Sequence, residues 1–251
     1  MKKILLLIAC MLGMTATMYA QTKVVAHRGY WDTEGSYENS IASLNKAGEI
    51  GVFGSEFDVH ITADDVLVVN HDASIQGIPI QTSTYAALKN LVLPNGEKLP
   101  TLEEYLEAGT KIPTMRMVLE IKSNKRVVME DRSVLAIVNL VRKYGLEDRT
   151  DYIAFSMNVC KELVRLAPSA EVYYLNGDVS PADLKALGMA GLDYHYSKFV
   201  EHPEWIKEAH DLGLKVNVWT VNDLDMMKAF IEQGVDFITT NKPVECLELV
   251  K

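Results

Sequence analysis

From Lys23 to the end of the chain, short β-branched runs alternate with helical stretches, and no Pro/Gly/Ser-rich linker or charge block breaks the alternation. Parallel strands need a crossover long enough to hold a helix, so strand, helix, Gly-containing turn and strand in repetition specifies a parallel sheet in one domain. The strands read as 23–27, 54–61, 66–71, 117–122, 152–155, 172–175, 192–196, 215–220 and 237–240. Helical text covers 38–49, 101–108, 128–144, 158–166, 181–187, 203–212 and 222–233. Thr101 ahead of Glu103-Glu104, Pro181 after Ser180, and Gly213 and Gly234 just past their helices supply start and stop signals. The second and third strands are separated only by 62–65, too short for a helical crossover, so that pair is expected to include an accessory strand or hairpin. A 251-residue chain then suits an α/β, TIM-type (β/α)8 barrel as a single domain, with a short insertion after the third strand.

The first twenty residues differ from the rest. Lys2 and Lys3 precede an apolar run from Ile4 to Leu12, and small and polar residues follow up to Ala20. That run is too short for a spanning helix and the pattern is that of a signal peptide, 1–20, leaving 21–251 as the barrel domain. The protein is therefore expected to be exported, periplasmic or secreted. A lipoprotein reading through Cys10 is disfavoured because apolar text continues beyond it. Without Lys2 and Lys3, 23 basic residues face 34 acidic ones, a net charge of −11, which excludes a broad basic field for nucleic acid. Cys160 and Cys246 show no CxxC or Cys/His zinc spacing; a disulfide and two buried thiols both remain open. No membrane-spanning or clear amphipathic membrane segment is expected after residue 20.

Titratable residues collect at the ends of the first four strands. Val24-Val25-Ala26 ends in His27-Arg28-Gly29, the second strand carries Glu56 and Asp58, the third ends in His71-Asp72, and the fourth carries Glu120 and Lys122. In a (β/α) barrel these ends open on one face, so residues spread along about a hundred positions converge. Glu56 and Asp58, two residues apart, share one side of their strand, and Glu120 interrupts an apolar run where a buried carboxylate needs a metal or partner. Three carboxylates suit one hard divalent cation, Mg²⁺ or Ca²⁺. His27 and His71, each closing an apolar strand, can serve as the acid and base of a phosphodiester cleavage. Arg28 and Lys122 add fixed positive charge for an anionic substrate, and Trp219 offers a flat wall for a small head group. His202 and His210 fall in or near a helix and are expected to face solvent; His195 stands at a strand end.

These residues, with Glu38-Asn39, Glu56-Phe57-Asp58-Val59, Val68-Val69-Asn70-His71-Asp72, Pro100-Thr101-Leu102-Glu103-Glu104, Leu119-Glu120-Ile121-Lys122, Val218-Trp219-Thr220-Val221-Asn222 and Gly234-Val235-Asp236, resemble the ordered signature of the glycerophosphodiester phosphodiesterase family. Each motif alone is weak, but their common order across nearly the whole chain beyond residue 20 is specific. The resemblance implies a TIM barrel that hydrolyses small glycerophosphodiesters to glycerol phosphate and an alcohol. By it, Glu56, Asp58 and Glu120 hold the metal, His27 and His71 are the acid/base pair, and Arg28 and Lys122 contact phosphate. It further implies attack on phosphorus by a neighbouring glycerol hydroxyl, then opening of a cyclic phosphate by water. The usual Pro-Glu-Asn-Thr is here Tyr37-Glu38-Asn39-Ser40, the usual Ser-Phe is Ala154-Phe155, and the closing Thr-Asp-Arg-Pro-like stretch is Thr240-Asn241-Lys242-Pro243. None of these departures is expected to touch the catalytic set. The segment from Ala73 to Leu99 is short for the family's inserted cap, which implies an open site. The rival readings are a phospholipase-type diesterase acting on intact lipid and a non-catalytic barrel that captures a phosphorylated ligand.

Overall fold

The computed structural model describes residues 21–251, so the segment read as a signal peptide lies outside the described residues. The elements run β1 (Lys23–Ala26), α1 (Ile41–Glu49), β2 (Gly54–Ile61), β3 (Leu67–Val69), β4 (Ser74–Ile75), β5 (Ile78–Pro79), α2 (Tyr85–Leu88), α3 (Leu102–Thr110), β6 (Arg116–Ile121) and α4 (Val127–Lys143). They continue with β7 (Thr150–Ala154), α5 (Met157–Leu166), β8 (Glu171–Tyr174), α6 (Pro181–Ala186), β9 (Gly191–His195), α7 (Tyr196–Glu201), α8 (Trp205–Asp211), β10 (Lys215–Trp219), α9 (Leu224–Glu232), β11 (Phe237–Thr240) and α10 (Pro243–Leu249). Eight parallel strands follow the order β1-β11-β10-β9-β8-β7-β6-β2, and β2 returns to β1, which closes the barrel. The ninth strand of the sequence reading is β3, which lies antiparallel on β2 through Val59↔Val69 and Ile61↔Leu67. The tight Thr62–Asp65 connection, with Asp65 at φ 64°, permits nothing else.

Two apolar regions follow from the period-2 alternation of the strands. Outward-facing residues such as Val24, Phe57, Leu119, Tyr152, Leu192 and Val216 pack against the helices. Inward-facing Val25, Val118, Ile153, Tyr173 and Phe237 fill the lumen, as in other barrels of this type. Beneath them, charged residues at the strand starts close the floor: Arg116 makes a two-point pair with Asp151, at 2.8 and 2.5 Å, and Lys215 lies 2.9 Å from Glu171. The strand carboxyl ends face the opposite mouth. Close strand approach is steric as well as hydrogen-bonded: a Cβ on Gly191 would stand 2.0 Å from the Lys215 carbonyl oxygen across the β9–β10 ladder.

Helix boundaries largely follow their caps. Thr101 and Glu104 form a capping box on α3, and Ser40, Ser156, Ser180 and Asp223 each accept a backbone N–H at a helix start. Ser40 therefore moves the start of α1 to Ile41, later than the expected 38. Helices α2, α7 and α10 were absent from the sequence reading, although Pro243 is a first-turn proline. The strand expected to reach Tyr196 stops at His195, whose imidazole accepts the Ser197 N–H and so begins α7. His210 is the other correction: its Nε2 is 3.0 Å from Asp236 Oδ2 and its side chain is mostly buried, whereas His202 is half exposed and stacks on Trp205. Cys160 and Cys246 are buried free thiols. Among the described residues, no helix is long and apolar enough to cross a membrane.

The insertion from Ala73 to Leu99 contains the β4–β5 hairpin and α2 around its own small core of Ile75, Ile80, Leu88, Leu93 and Leu99. Among its grips on the barrel, the Glu97 carboxylate accepts the Ile41 and Ala42 N–H groups at 2.9 and 3.0 Å, capping α1 together with Ser40. Because the Gly191 clash is with backbone, Gly191→Ala should destabilise the protein by about 2 kcal/mol or more, read as a lower urea midpoint at unchanged m-value.

Candidate active site

Directly after β1 the backbone enters the left-handed region twice, at Arg28 (φ 58°) and Gly29 (φ 78°). A side chain at Gly29 would collide with the Ser43 backbone, 2.7 Å away, so α1 can pack against this turn only over a glycine. The turn points the Arg28 N–H at Glu56 Oε2, 2.7 Å away, while its guanidinium reaches Glu38 Oε2 at 2.5 Å and lies 4.0 Å from Asp58. Asn39, also left-handed at φ 59°, donates its amide to Asp58 Oδ2 at 2.8 Å and accepts the Asp58 N–H at 3.0 Å.

Register brings the carboxylates together. Asp58 on β2 pairs with Glu120 on β6, and Glu56 lies two residues earlier on the same face. Ligand oxygens of the three lie within 4.8 Å of one another, and all three residues are buried. Lys122 spans two of them, with Nζ 2.6 Å from Asp58 and 2.7 Å from Glu120. Burial, with Asp58 and Glu120 beside it, drives Glu56 well above the usual carboxylate range. Burial and the Asp58 charge push Glu120 up to about 8 against the pull of Lys122. Burial works against ionisation of Asp58 too, but Lys122, His71 and the Asn39 amide together hold it well below the ordinary range. Lys122 in turn is raised above an ordinary lysine by Asp58 and Glu120, despite its burial. One ammonium does not neutralise three carboxylates in a low-dielectric cleft, so this oxygen-only donor set fits a hard divalent cation.

The histidines meet across the same pocket of about 120 Å³, which is lined by His27, Arg28, Glu56, His71, Glu120 and, on the far side, Ile153, Phe155, Leu175, Asp193 and Trp219. His27 Nδ1 is 2.7 Å from Asn241 Oδ1, an oxygen that also accepts the Trp31 Nε1–H at 3.4 Å. An acceptor at that position places the His27 proton on Nδ1 and leaves the Nε2 lone pair free. Burial, then the neighbouring Arg28 charge, lowers the His27 pKa to about 4, so the ring is neutral at pH 7. His71 sits at the lip, its side chain 36% exposed and its Nδ1 2.8 Å from Asp72. The buried His60 reaches the His71 carbonyl at 3.3 Å and is held in turn by Gln81. Trp219 donates its Nε1–H to the Asp193 carbonyl at 2.8 Å and meets Phe155 edge-on, forming an apolar wall.

All eight residues singled out in the sequence therefore gather around one cluster. His195 does not join the pocket lining, being spent on the α7 cap. The expectation that the departures from the family pattern leave the catalytic set untouched fails at Asn241, which bonds His27 directly. Asn39 and Asp193 also went without a role. Asp193 carried the same signal that picked out Glu120, a carboxylate interrupting an apolar strand. Asn39 was marked only as part of the Glu38-Asn39 motif, and its role rests on the left-handed backbone that Asn tolerates, which the structure alone shows.

The chain matches the Glycerophosphoryl diester phosphodiesterase family over residues 27–245. It is 30% identical to a glycerophosphodiester phosphodiesterase of Caldanaerobacter subterraneus subsp. tengcongensis, over 92% of this chain and 98% of that protein. Among solved structures, it is similar to a glycerophosphodiester phosphodiesterase from Parabacteroides distasonis with a TM-score of 0.91 and 53% identity, covering 92% of this chain and 97% of the other. An Oleispira antarctica phosphodiesterase in complex with the product sn-glycerol-3-phosphate superposes with a TM-score of 0.80 at 25% identity, covering 92% and 97%. With its fold, its carboxylate cluster and these likenesses agreeing, the chain belongs to the glycerophosphoryl diester phosphodiesterase family, a family of phosphoric diester hydrolases.

Proposed function

We propose that this protein hydrolyses small glycerophosphodiesters to glycerol phosphate and an alcohol, using one Mg²⁺ or Ca²⁺ held by Glu56, Asp58 and Glu120. The observation that carries this reading is the three-carboxylate cluster facing both histidines and Arg28 in one pocket. The product complex of the Oleispira relative supports the substrate class. The Lys-Lys start and the apolar run before Ala20 support export to the periplasm or beyond, with the signal removed.

When bound, the cation supplies charge neutralisation at the phosphoryl oxygens and a lower pKa for the attacking hydroxyl. Arg28 orients the phosphate; Glu38 fixes its guanidinium on one side and leaves the face toward the pocket available. Lys122 keeps Asp58 ionised and adds a second fixed positive charge beside the phosphate. His27, neutral and with its Nε2 lone pair free, takes the proton of the attacking glycerol hydroxyl. His71, on the lip and oriented by Asp72, gives a proton to the departing alcohol, and the two exchange roles when water opens the cyclic phosphate. The intact acid/base pair favours this reading over a silent binding barrel.

The test is release of glycerol phosphate from glycerophosphocholine, glycerophosphoethanolamine and glycerophosphoinositol, with Mg²⁺ or Ca²⁺ and with EDTA. Metal-dependent release supports the reading; a folded protein that releases nothing from any of them overturns it. Glu120→Gln should weaken divalent-cation binding by at least about tenfold in calorimetry and reduce turnover with it. Asn241→Asp sets a carboxylate beside the His27 Nδ1–H and favours the imidazolium, so the His27 pKa rises from about 4. The base then becomes protonated at higher pH. The acidic limb of the kcat/KM profile should move up by about one pH unit or more, with activity at pH 5 reduced to about half or less and activity at pH 8 retained.

A further inference from the structure

Asp193 lies at the bottom of the active pocket, on the strand directly across the barrel from the metal-site strand. In the closed ring β9 stands four strands from β2 in either direction, so it forms the wall opposite the strand that carries Glu56 and Asp58. Asp193 is 2% exposed, yet it lines the pocket as well as the small lumen space beneath it, beside Asp151 and Asn217. Its register partner Asn217 bonds the carboxyl from β10 and is itself fixed by two hydrogen bonds with Thr239, at 2.9 and 3.2 Å. Oδ1 has no hydrogen-bond partner among the described residues. A buried oxygen left unpaired costs on the order of 1–3 kcal/mol, so a polar group on the wall of a ligand pocket gains most by finding its partner on the ligand.

The surroundings define that partner. Ile153, Leu175 and Trp219 flank Asp193 with hydrocarbon and indole, which suits a short carbon chain. Trp219 is bonded to the Asp193 carbonyl, so the wall and the polar group move as one unit. Burial pushes the Asp193 carboxyl up to about 7, with Asp151 adding to the effect and Asn217 opposing it. A half-neutral carboxyl can both donate to and accept from an alcohol, whereas a quaternary ammonium calls for a full anion or an aromatic cage.

We infer that Asp193 is a specificity-determining residue that recognises the terminal hydroxyl of the glycerol unit at the bottom of the pocket. The inference rests on the glycerophosphodiester reading and names which part of the substrate occupies the far side. It makes the enzyme selective for a glycerol diester over the otherwise identical propane-1,2-diol diester, which retains the attacking hydroxyl and lacks the terminal one.

The test compares glyceryl 4-nitrophenyl phosphate with 2-hydroxypropyl 4-nitrophenyl phosphate, which share one leaving group. Wild-type kcat/KM should favour the glyceryl compound on the order of 100-fold or more, as expected for a site built to pair a hydroxyl. Asp193→Leu should collapse that ratio to within about twofold of unity, while the isosteric Asp193→Asn, which still donates and accepts, retains most of it. Equal losses on both substrates in Asp193→Leu, or a wild-type enzyme that does not discriminate, overturn the assignment. Calorimetric binding of glycerol 3-phosphate against the 1-phosphate of propane-1,2-diol separates this question from turnover. A wild-type protein that hydrolyses neither diester but binds glycerol 3-phosphate more tightly sinks the hydrolytic reading and keeps the Asp193 assignment. Loss of that preference sinks the assignment alone.

Discussion

Three carboxylates confined within 4.8 Å in a buried cleft repel one another, and the rest of the mouth is arranged to contain that repulsion. Two unit charges at such a distance interact by roughly 3.5 kcal/mol even at an effective dielectric of about 20. The protein answers with Lys122 between Asp58 and Glu120, the Arg28 N–H on Glu56, and the Asn39 amide on Asp58. These contacts favour ionisation most at Asp58 and leave Glu56 and Glu120 drawn toward their protonated forms. Such an arrangement could hold a divalent cation, whose positive charge would also offset the negative charge of a phosphodiester's non-bridging oxygens.

The barrel makes this crowding tolerable by separating its tasks along the axis. Ion pairs seal the strand starts, an apolar layer around Val25, Val118, Ile153, Tyr173 and Phe237 fills the middle, and the reactive groups occupy the strand ends. Packing at the centre holds strand spacing fixed, so the carboxylate geometry is set by register rather than by mobile loops.

The eightfold barrel, the accessory third strand and the convergence of eight singled-out residues on one mouth were legible because each leaves a local mark: a hydrophobic run of the right period, an over-short connection, a charge where an apolar strand should continue. What was not legible depends on partners distant in the chain. Nothing near Asn241 announces His27, which lies 214 positions away, and only the closed ring brings them to 2.7 Å. Similarly, His195 looks like a pocket residue by strand position and becomes a helix cap because the chain turns at once into α7. Short helices such as α2, with four residues, offer too few periods to be read at all.

The edge of β2 that faces β1 has an unusual seam. Its first two residues, Gly54 and Ser55, ladder with β1; β3 takes over only at Val59. Between them the Asp58 N–H is accepted by a side chain, Asn39 Oδ1, so one amide stands in for a rung of missing strand while its nitrogen grips the Asp58 carboxylate. Neither aspartate nor a simple apolar residue can do both. The insertion begins past β3, beyond this joint, and touches α1 through Glu97. A change in the length of that excursion would therefore reshape what reaches the mouth without altering the β2–β6 register that sets the carboxylate spacing, whereas His71 would feel it, because Gln81 of the insertion holds His60 beneath it.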